Sequence, residues 1–217
     1  IATVSRESLA QATLEEIVVT ARQREESVQD IPVVVTAFTA DELARRGVSE
    51  LEDVAAATPG LAFEDFSNGF SAAPVIRGLT QVNVSSEVQN VATFVDGIYL
   101  QRNFSVDIGQ ADLERIEVVK GPQSALYGQN AFAGAINYVL ARPGEQFAGY
   151  VDVGAGTDGR LDYRAAFGGP LIEGKLGLRG FYGHNEFDGT WRNEYPGLED
   201  QAARLGWYDN DNYSLIA

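Results

Sequence analysis

With 217 residues the chain is long enough for one or two domains and a sizeable core. It contains no cysteine, which excludes disulfides and thiolate metal sites, and its 16 basic and 31 acidic side chains leave a net charge of −15, which argues against non-specific nucleic-acid binding. No stretch of about 18 apolar residues is present, so no membrane-spanning helix is expected, although barrel strands, being short and half apolar, stay open. The chain begins at Ile1 and has no methionine, which reads as a processed product or a fragment.

Residues 1–30 are polar and charged, with Arg22, Arg24, Glu25 and Glu26 close together, and read as a mobile tail. Ala10-Gln11-Ala12 has the small-x-small form of a signal-peptidase site. Arg6 and Glu7 are a poor end to an apolar leader, so an ordinary N-terminus is the alternative. Within this tail Ile17-Val18-Val19-Thr20 is β-prone and flanked by charges. An exposed strip of this kind offers unpaired N–H and C=O groups to a foreign sheet, whereas the plainer reading is an edge strand of the protein's own fold.

From residue 31 to about 143 the pattern is mixed α/β. Residues 31–38 form a β-branched run, and Thr39-Ala40-Asp41-Glu42 is a capping box opening a helix that Gly47 closes. Ser49-Glu50-Leu51-Glu52 repeats the device, and Thr58-Pro59-Gly60 stops the second helix. Residues 91–100 read as a hairpin about Asp96-Gly97, a favoured type I′ pair. Residues 113–119 and 135–140 are further strands.

After Pro143 the period changes to two. Phe147, Gly149, Val151, Val153 and Ala155 alternate with Ala148, Tyr150, Asp152 and Gly154, and residues 161–168 and 176–182 continue the pattern. Such two-faced segments suit a membrane barrel and a soluble antiparallel sheet equally. A fourth strand over about 198–208, a turn at Asp209-Asn210-Asp211-Asn212 and a fifth strand from Tyr213 are expected. Five strands cannot close a wide pore; large plugged barrels have about 22, so the chain reads as incomplete.

Three motifs carry less than they suggest. Gly154-Ala155-Gly156-Thr157-Asp158-Gly159 matches a dinucleotide fingerprint, but a strand follows it where a helix is required, so a hairpin turn is expected. His184 is the sole histidine, which makes a metal site or a catalytic triad improbable. The Asp209–Asn212 run lacks the glycine of a calcium loop. Trp207 and Tyr208 beside it suit an interfacial aromatic girdle, and packing in any sheet explains them equally.

Two segments far apart in the chain carry a resemblance to a known family. The first is Glu15-Glu16-Ile17-Val18-Val19-Thr20-Ala21. The second is Ile116-Glu117-Val118-Val119-Lys120-Gly121-Pro122, followed by Leu126-Tyr127-Gly128 and Gly134-Ala135-Ile136-Asn137. With Pro74-Val75-Ile76-Arg77-Gly78 and Phe94-Val95-Asp96-Gly97-Ile98-Tyr99 they resemble the TonB-dependent outer-membrane receptors, from Glu15 to the C-terminus. The resemblance implies a TonB box at residues 15–21 in a periplasmic tail (1–30), an α+β plug domain with a small mixed sheet and short helices (31–145), and the first antiparallel strands of an incomplete transmembrane β-barrel (146–217). It implies that Glu16, Ile17, Val18, Val19, Thr20 and Ala21 meet the C-terminal domain of TonB by strand addition. Arg77, Gly78, Arg115, Glu117, Lys120, Gly121, Pro122, Tyr127, Gly128 and Gly134 would form the plug core and its contacts with the barrel. The charged members, Arg77, Arg115, Glu117 and Lys120, read equally as a network retaining the plug and as solvated strand ends.

Many relatives have arginine at Lys120 and Gln129 and glycine at Ala133; these departures put single plug–wall contacts in doubt. The implied activity is energy-coupled uptake of a scarce solute, a ferric siderophore by default, across outer-membrane lipid, with no cofactor, metal, nucleic acid or covalent chemistry. Phe66 and Asn68, in the apical segment 63–70, are candidate solute contacts, as is the loop 82–90; a plain surface loop is the alternative. About fourteen residues precede the box, too few for a periplasmic signalling domain, so none is expected unless upstream chain has been lost. The competing class is a soluble α/β periplasmic module with a sheet extension, and the outward face of residues 147–182 discriminates: a contiguous apolar band favours the barrel.

Overall fold

The computed structural model describes residues 18–19, 26–27, 33–46, 48, 51–65, 72–80, 89–100, 111–128, 130–189 and 208–217. A minimal antiparallel ladder comes first, β1 (Val18–Val19) with β2 (Glu26–Ser27). There follow β3 (Val34–Thr39), α1 (Ala40–Arg46), α2 (Leu51–Ala56), and the hairpin of β4 (Leu61–Asp65) and β5 (Ala72–Ile76). Next come β6 (Val91–Val95), β7 (Ile98–Leu100), β8 (Leu113–Lys120), α3 (Ser124–Tyr127) and β9 (Gly134–Leu140). These build a five-stranded mixed sheet in the order β3-β8-β9-β6-β7, in which only β6 and β9 run parallel.

Local chemistry explains the boundaries. At the start of α1 the Glu42 N–H donates to Thr39 Oγ1 at 3.3 Å, while the Thr39 N–H donates to Glu42 Oε2 at 3.1 Å, the reciprocal capping box. Its end is closed by the Val48 N–H donating to the Leu43 carbonyl at 3.0 Å. Asp96 and Gly97 take φ of 47° and 79°, as a type I′ turn requires, and Val95 pairs with Ile98 across it. The β4–β5 hairpin has no alternating signal in the sequence and was not expected. Phe63 belongs to β4, where it pairs with Pro74, so the supposed apical segment 63–70 is strand as far as Asp65; Phe66 and Asn68 lie outside the described residues, as does most of 82–90.

Both faces of the sheet are covered, as the pleat demands of strands that are apolar on both sides. On one face Phe38, Ile116, Val118, Ile136, Tyr138 and Val91 pack with Leu43 of α1 and Val54 of α2. On the other, Val119, Ala92, Phe94 and Ala135 pack with Ala131 and with Val19 of β1. Gly134 joins the two faces: a Cβ there would lie 2.3 Å from the Val119 carbonyl oxygen and 2.8 Å from Ile76 Cδ1. A backbone oxygen in a central ladder cannot move aside, so Gly134→Ala should destabilise the domain by about 2–3 kcal/mol. A matching fall in the denaturation midpoint of the purified protein checks this.

The second unit is a four-stranded antiparallel sheet in chain order: β10 (Ala148–Ala155), β11 (Leu161–Ile172), β12 (Leu176–Phe187) and β13 (Tyr208–Ile216). Residues 156–160 form the expected hairpin turn, with the Gly156 N–H donating to the Arg160 carbonyl at 2.9 Å and Asp158 and Gly159 at positive φ. One expectation fails: Asp209–Asn212 is no turn but lies within β13, paired residue by residue with Glu186–Gly183. Cross-strand partners override the local turn preference, since Asp211 accepts from Tyr182 Oη at 2.7 Å and lies 3.1 Å from His184 Nδ1. The strand expected from Tyr213 thus begins at Tyr208, and the one expected over 198–208 falls on residues that, up to 207, lie outside those described.

Candidate functional site

The box and the glycine-rich segment meet. Val18 and Val19 pair with Ser27 and Glu26, and the Val19 side chain is fully buried against Val119, Ala131, Ala135, Ala92 and Phe94, with Tyr127 packed alongside. The expected exposed strip is thus corrected at Val19. Burying a valine gains about 1.5–3 kcal/mol, enough to hold a short strand on the sheet that a charged tail would otherwise leave in solvent. β1 pairs with β2 alone, so its other edge is not used by any described strand. Glu16, Ile17, Thr20 and Ala21 lie outside the described residues.

The glycine-rich segment is a closed loop between β8 and β9. Its ends are tied by the Gly121 N–H donating to the Ala133 carbonyl at 2.9 Å and the Gln123 N–H donating to Ala131 at 3.0 Å. Gly121 and Gly128 have φ of 110° and 84°, which disfavours any side chain there. Tyr127 stands 5.0 Å from the Phe94 ring, which is 5.6 Å from Tyr99, and Asn130 Nδ2 donates to Tyr99 Oη at 2.6 Å. Burial, with the Glu117 carboxylate nearby, pushes the Tyr127 phenol up to about 12, so it stays neutral at physiological pH.

The four charged candidates separate into two groups. Arg115 and Glu117 form a buried pair, Arg115 Nε to Glu117 Oε1 at 2.8 Å, with Glu117 wholly inaccessible and Asn137 Nδ2 donating to its Oε2 at 3.4 Å. Arg115 also binds Glu114. Of the two readings, the solvated strand end is therefore excluded for Glu117. Lys120 ends the same strand, and Arg77 lies beside that end, next to Gly121. The Arg77 N–H donates to Gly60 at 2.8 Å from a left-handed backbone (φ 53°), its guanidinium passes close over Gly121, and Lys120 Nζ donates to the Pro59 carbonyl at 3.2 Å. Neither cation has a carboxylate partner among the described residues.

One contact was missed in the sequence. Asp112, just ahead of β8 and 2% exposed, receives Arg179 of β12 in a bidentate pair, Nε to Oδ2 at 2.5 Å and Nη2 to Oδ1 at 3.0 Å. Tyr150 Oη of β10 donates to Oδ1 at 3.2 Å. This cluster joins the two sheets. The one available signal was parity: Tyr150 and Arg179 fall on the polar face of their strands.

That polar face also carries Asp152 with Arg164 at 3.1 Å, Asp162 with Arg160 at 2.9 Å, Asn210 and Asn212. The opposite face is apolar and open. Register aligns Val151, Ala165, Tyr182 and Tyr213 in one row and Gly149, Phe167, Gly180 and Leu215 in the next. Val151 is 78% exposed, Phe167 63%, Tyr213 84% and Leu215 73%. The band ends at a row of Tyr163, His184 and Asp211, where His184 stacks on Tyr163 at 4.7 Å. An antiparallel sheet with a polar face toward a docked α+β domain and an uncovered apolar face toward the surroundings is the wall of a plugged membrane β-barrel.

Comparison with known proteins agrees. Residues 27–135 match the TonB-dependent Receptor Plug Domain family. The pesticin receptor of Yersinia pestis is 31% identical over 166 residues, 74% of this chain and 24% of that protein. The vitamin B12 transporter BtuB of Photobacterium profundum is 26% identical over 215 residues, covering 92% of this chain and 34% of the transporter. The crystal structure of the ferric yersiniabactin uptake receptor FyuA from Yersinia pestis superposes with a TM-score of 0.69 at 26% identity, over 84% of this chain and 28% of that one. The chain belongs to the TonB-dependent receptor family and is a bacterial outer-membrane protein. It spans about a quarter to a third of the length of these relatives.

Proposed function

We propose that the receptor containing this chain takes up a scarce solute, a ferric siderophore, through the barrel, and that TonB supplies the work by adding a strand at residues 16–21. The observation that carries this reading is Val19: a β-prone strand at the start of the chain is seated on the plug's own sheet, so force on it acts on the plug. The periplasmic tail, plug and first barrel strands retain the boundaries 1–30, 31–145 and 146–217. Lys120, whose ammonium meets only the Pro59 carbonyl, and Arg77, whose guanidinium has no carboxylate partner among the described residues, suit carboxylates on wall strands beyond these four. Phe66 and Asn68 stay assigned to solute contact. No covalent step is involved; the protein is a transporter and not an enzyme.

Cobalamin is the second reading, supported by the match to the vitamin B12 transporter over 92% of the chain. Uptake of labelled ferric siderophores and of cobalamin by cells expressing the full-length receptor, with and without TonB, decides between them. The expected result is TonB-dependent ferric siderophore accumulation; TonB-dependent cobalamin uptake alone would replace it.

The membrane assignment of the apolar face has its own test. Val151→Arg should cost about 2–4 kcal/mol of folding stability in lipid, whereas a charge at inward-facing Gly154 should cost much less. Urea titration of the full-length receptor in vesicles measures both; equal effects would remove the lipid-facing assignment.

A further inference from the structure

The contact between Asp112, Arg179 and Tyr150 has a consequence for which part of the plug moves. We propose that these three residues are a fixed anchor that holds β8 and β9 to the barrel wall while the chain ahead of them is drawn out; this rests on the uptake reading above. Three observations support it. The seat is buried and complete: both Asp112 oxygens are used, at 2.5, 3.0 and 3.2 Å, and its backbone carbonyl accepts from the Ala141 N–H at 2.8 Å, tying the start of β8 to the end of β9. Parting such a pair leaves two uncompensated charges in a poorly hydrated place, so it resists opening far more than an exposed pair does.

The strand order supplies the second argument. β3 is an edge strand with β8 as its one neighbour in the sheet, whereas β8 and β9 have neighbours on both sides. The third is direction. Val34 pairs with Lys120 and Thr39 with Arg115, so tension on the chain ahead of Val34 loads the Val34–Lys120 pair first, at the end of β8 remote from Asp112. The ladder then parts one pair at a time, while the anchor lies at the far end of the strand. The edge is built to leave and the centre to stay.

The test uses the full-length receptor with no other reactive thiol, carrying Val35→Cys in β3 or Val139→Cys in β9. Maleimide labelling is measured in cells with solute, with and without TonB. With the anchor intact, Val35→Cys should label several-fold faster when TonB is present, and Val139→Cys should label at one rate in both. Adding Asp112→Asn should make Val139→Cys labelling several-fold TonB-dependent. TonB-dependent labelling of Val139→Cys with the anchor intact, or no such dependence after Asp112→Asn, would overturn the proposal. A rise in labelling without TonB marks a folding defect instead; Arg179→Lys, which keeps the charge but loses the fork, is then read by the same difference and decides. If Val35→Cys shows no TonB dependence, the pulled strand is absent and the anchor has no role, while intact Val139→Cys burial separates that failure from an open clamp.

Discussion

Val18→Pro in the full-length receptor is expected to weaken binding of the TonB C-terminal domain at least tenfold and to lower solute uptake toward the level of cells without TonB. Strand addition uses main-chain hydrogen bonds, and proline removes the N–H at the centre of the strip and fixes its φ. Each ladder bond contributes about 1 kcal/mol, so losing one or two, with the ring's clash added, weakens binding about tenfold or more. The plug itself should keep its stability, because Val18 belongs to a two-residue ladder with Ser27 and the buried side chain is Val19. Calorimetry with the purified TonB domain and parallel thermal unfolding measure the two effects. Undiminished binding would show that TonB grips some other segment, and the buried strand β1 would then be structural alone.

Glu117→Ala should have the largest effect on stability, about 3–5 kcal/mol, since removing one member of a buried ion pair strands the other. Arg115 is itself mostly buried and would keep, among the described residues, Glu114 alone, whose side chain is 48% exposed, and Asn137 Nδ2 would lose the carboxylate it donates to. Glu117 also lies on the sheet face that carries Val19, so the same substitution should loosen β1. Glu114→Ala, on the solvated side, should change stability by less than about 0.5 kcal/mol. Denaturant unfolding followed by hydrogen exchange in β8 and β9 separates them. Equal effects would mean that Glu117 is not paired in the folded receptor.

Features carried by neighbouring residues are legible in the amino-acid sequence. The Thr39–Glu42 capping box, the Asp96-Gly97 turn and the hairpin at 156–160 depend on φ preferences and on side chains within four residues, and each forms as expected. The alternation at 147–182 named both sheet faces correctly, but it could not say which face met lipid. That follows from Tyr150 and Arg179 reaching Asp112, which puts the polar face against the plug.

The failures share one cause. Asp209–Asn212 has the composition of a turn, yet its two asparagines fall on the polar face and Asp211 lies opposite His184 and accepts from Tyr182 on the diagonal, so pairing with β12 outweighs local preference. Val19 sits in a charged tail, and its burial exists because Val119, Ala131 and Ala135 arrive beneath it from far along the chain. The amino-acid sequence by itself determined the family, the succession of plug and antiparallel strands, the Thr39–Glu42 cap and the tight turns, all of which are carried by neighbouring residues. Only the tertiary structure decided the buried seat of Val19, the enclosure of Glu117 and the Asp112–Arg179 anchor, because each depends on register between strands that no local pattern specifies.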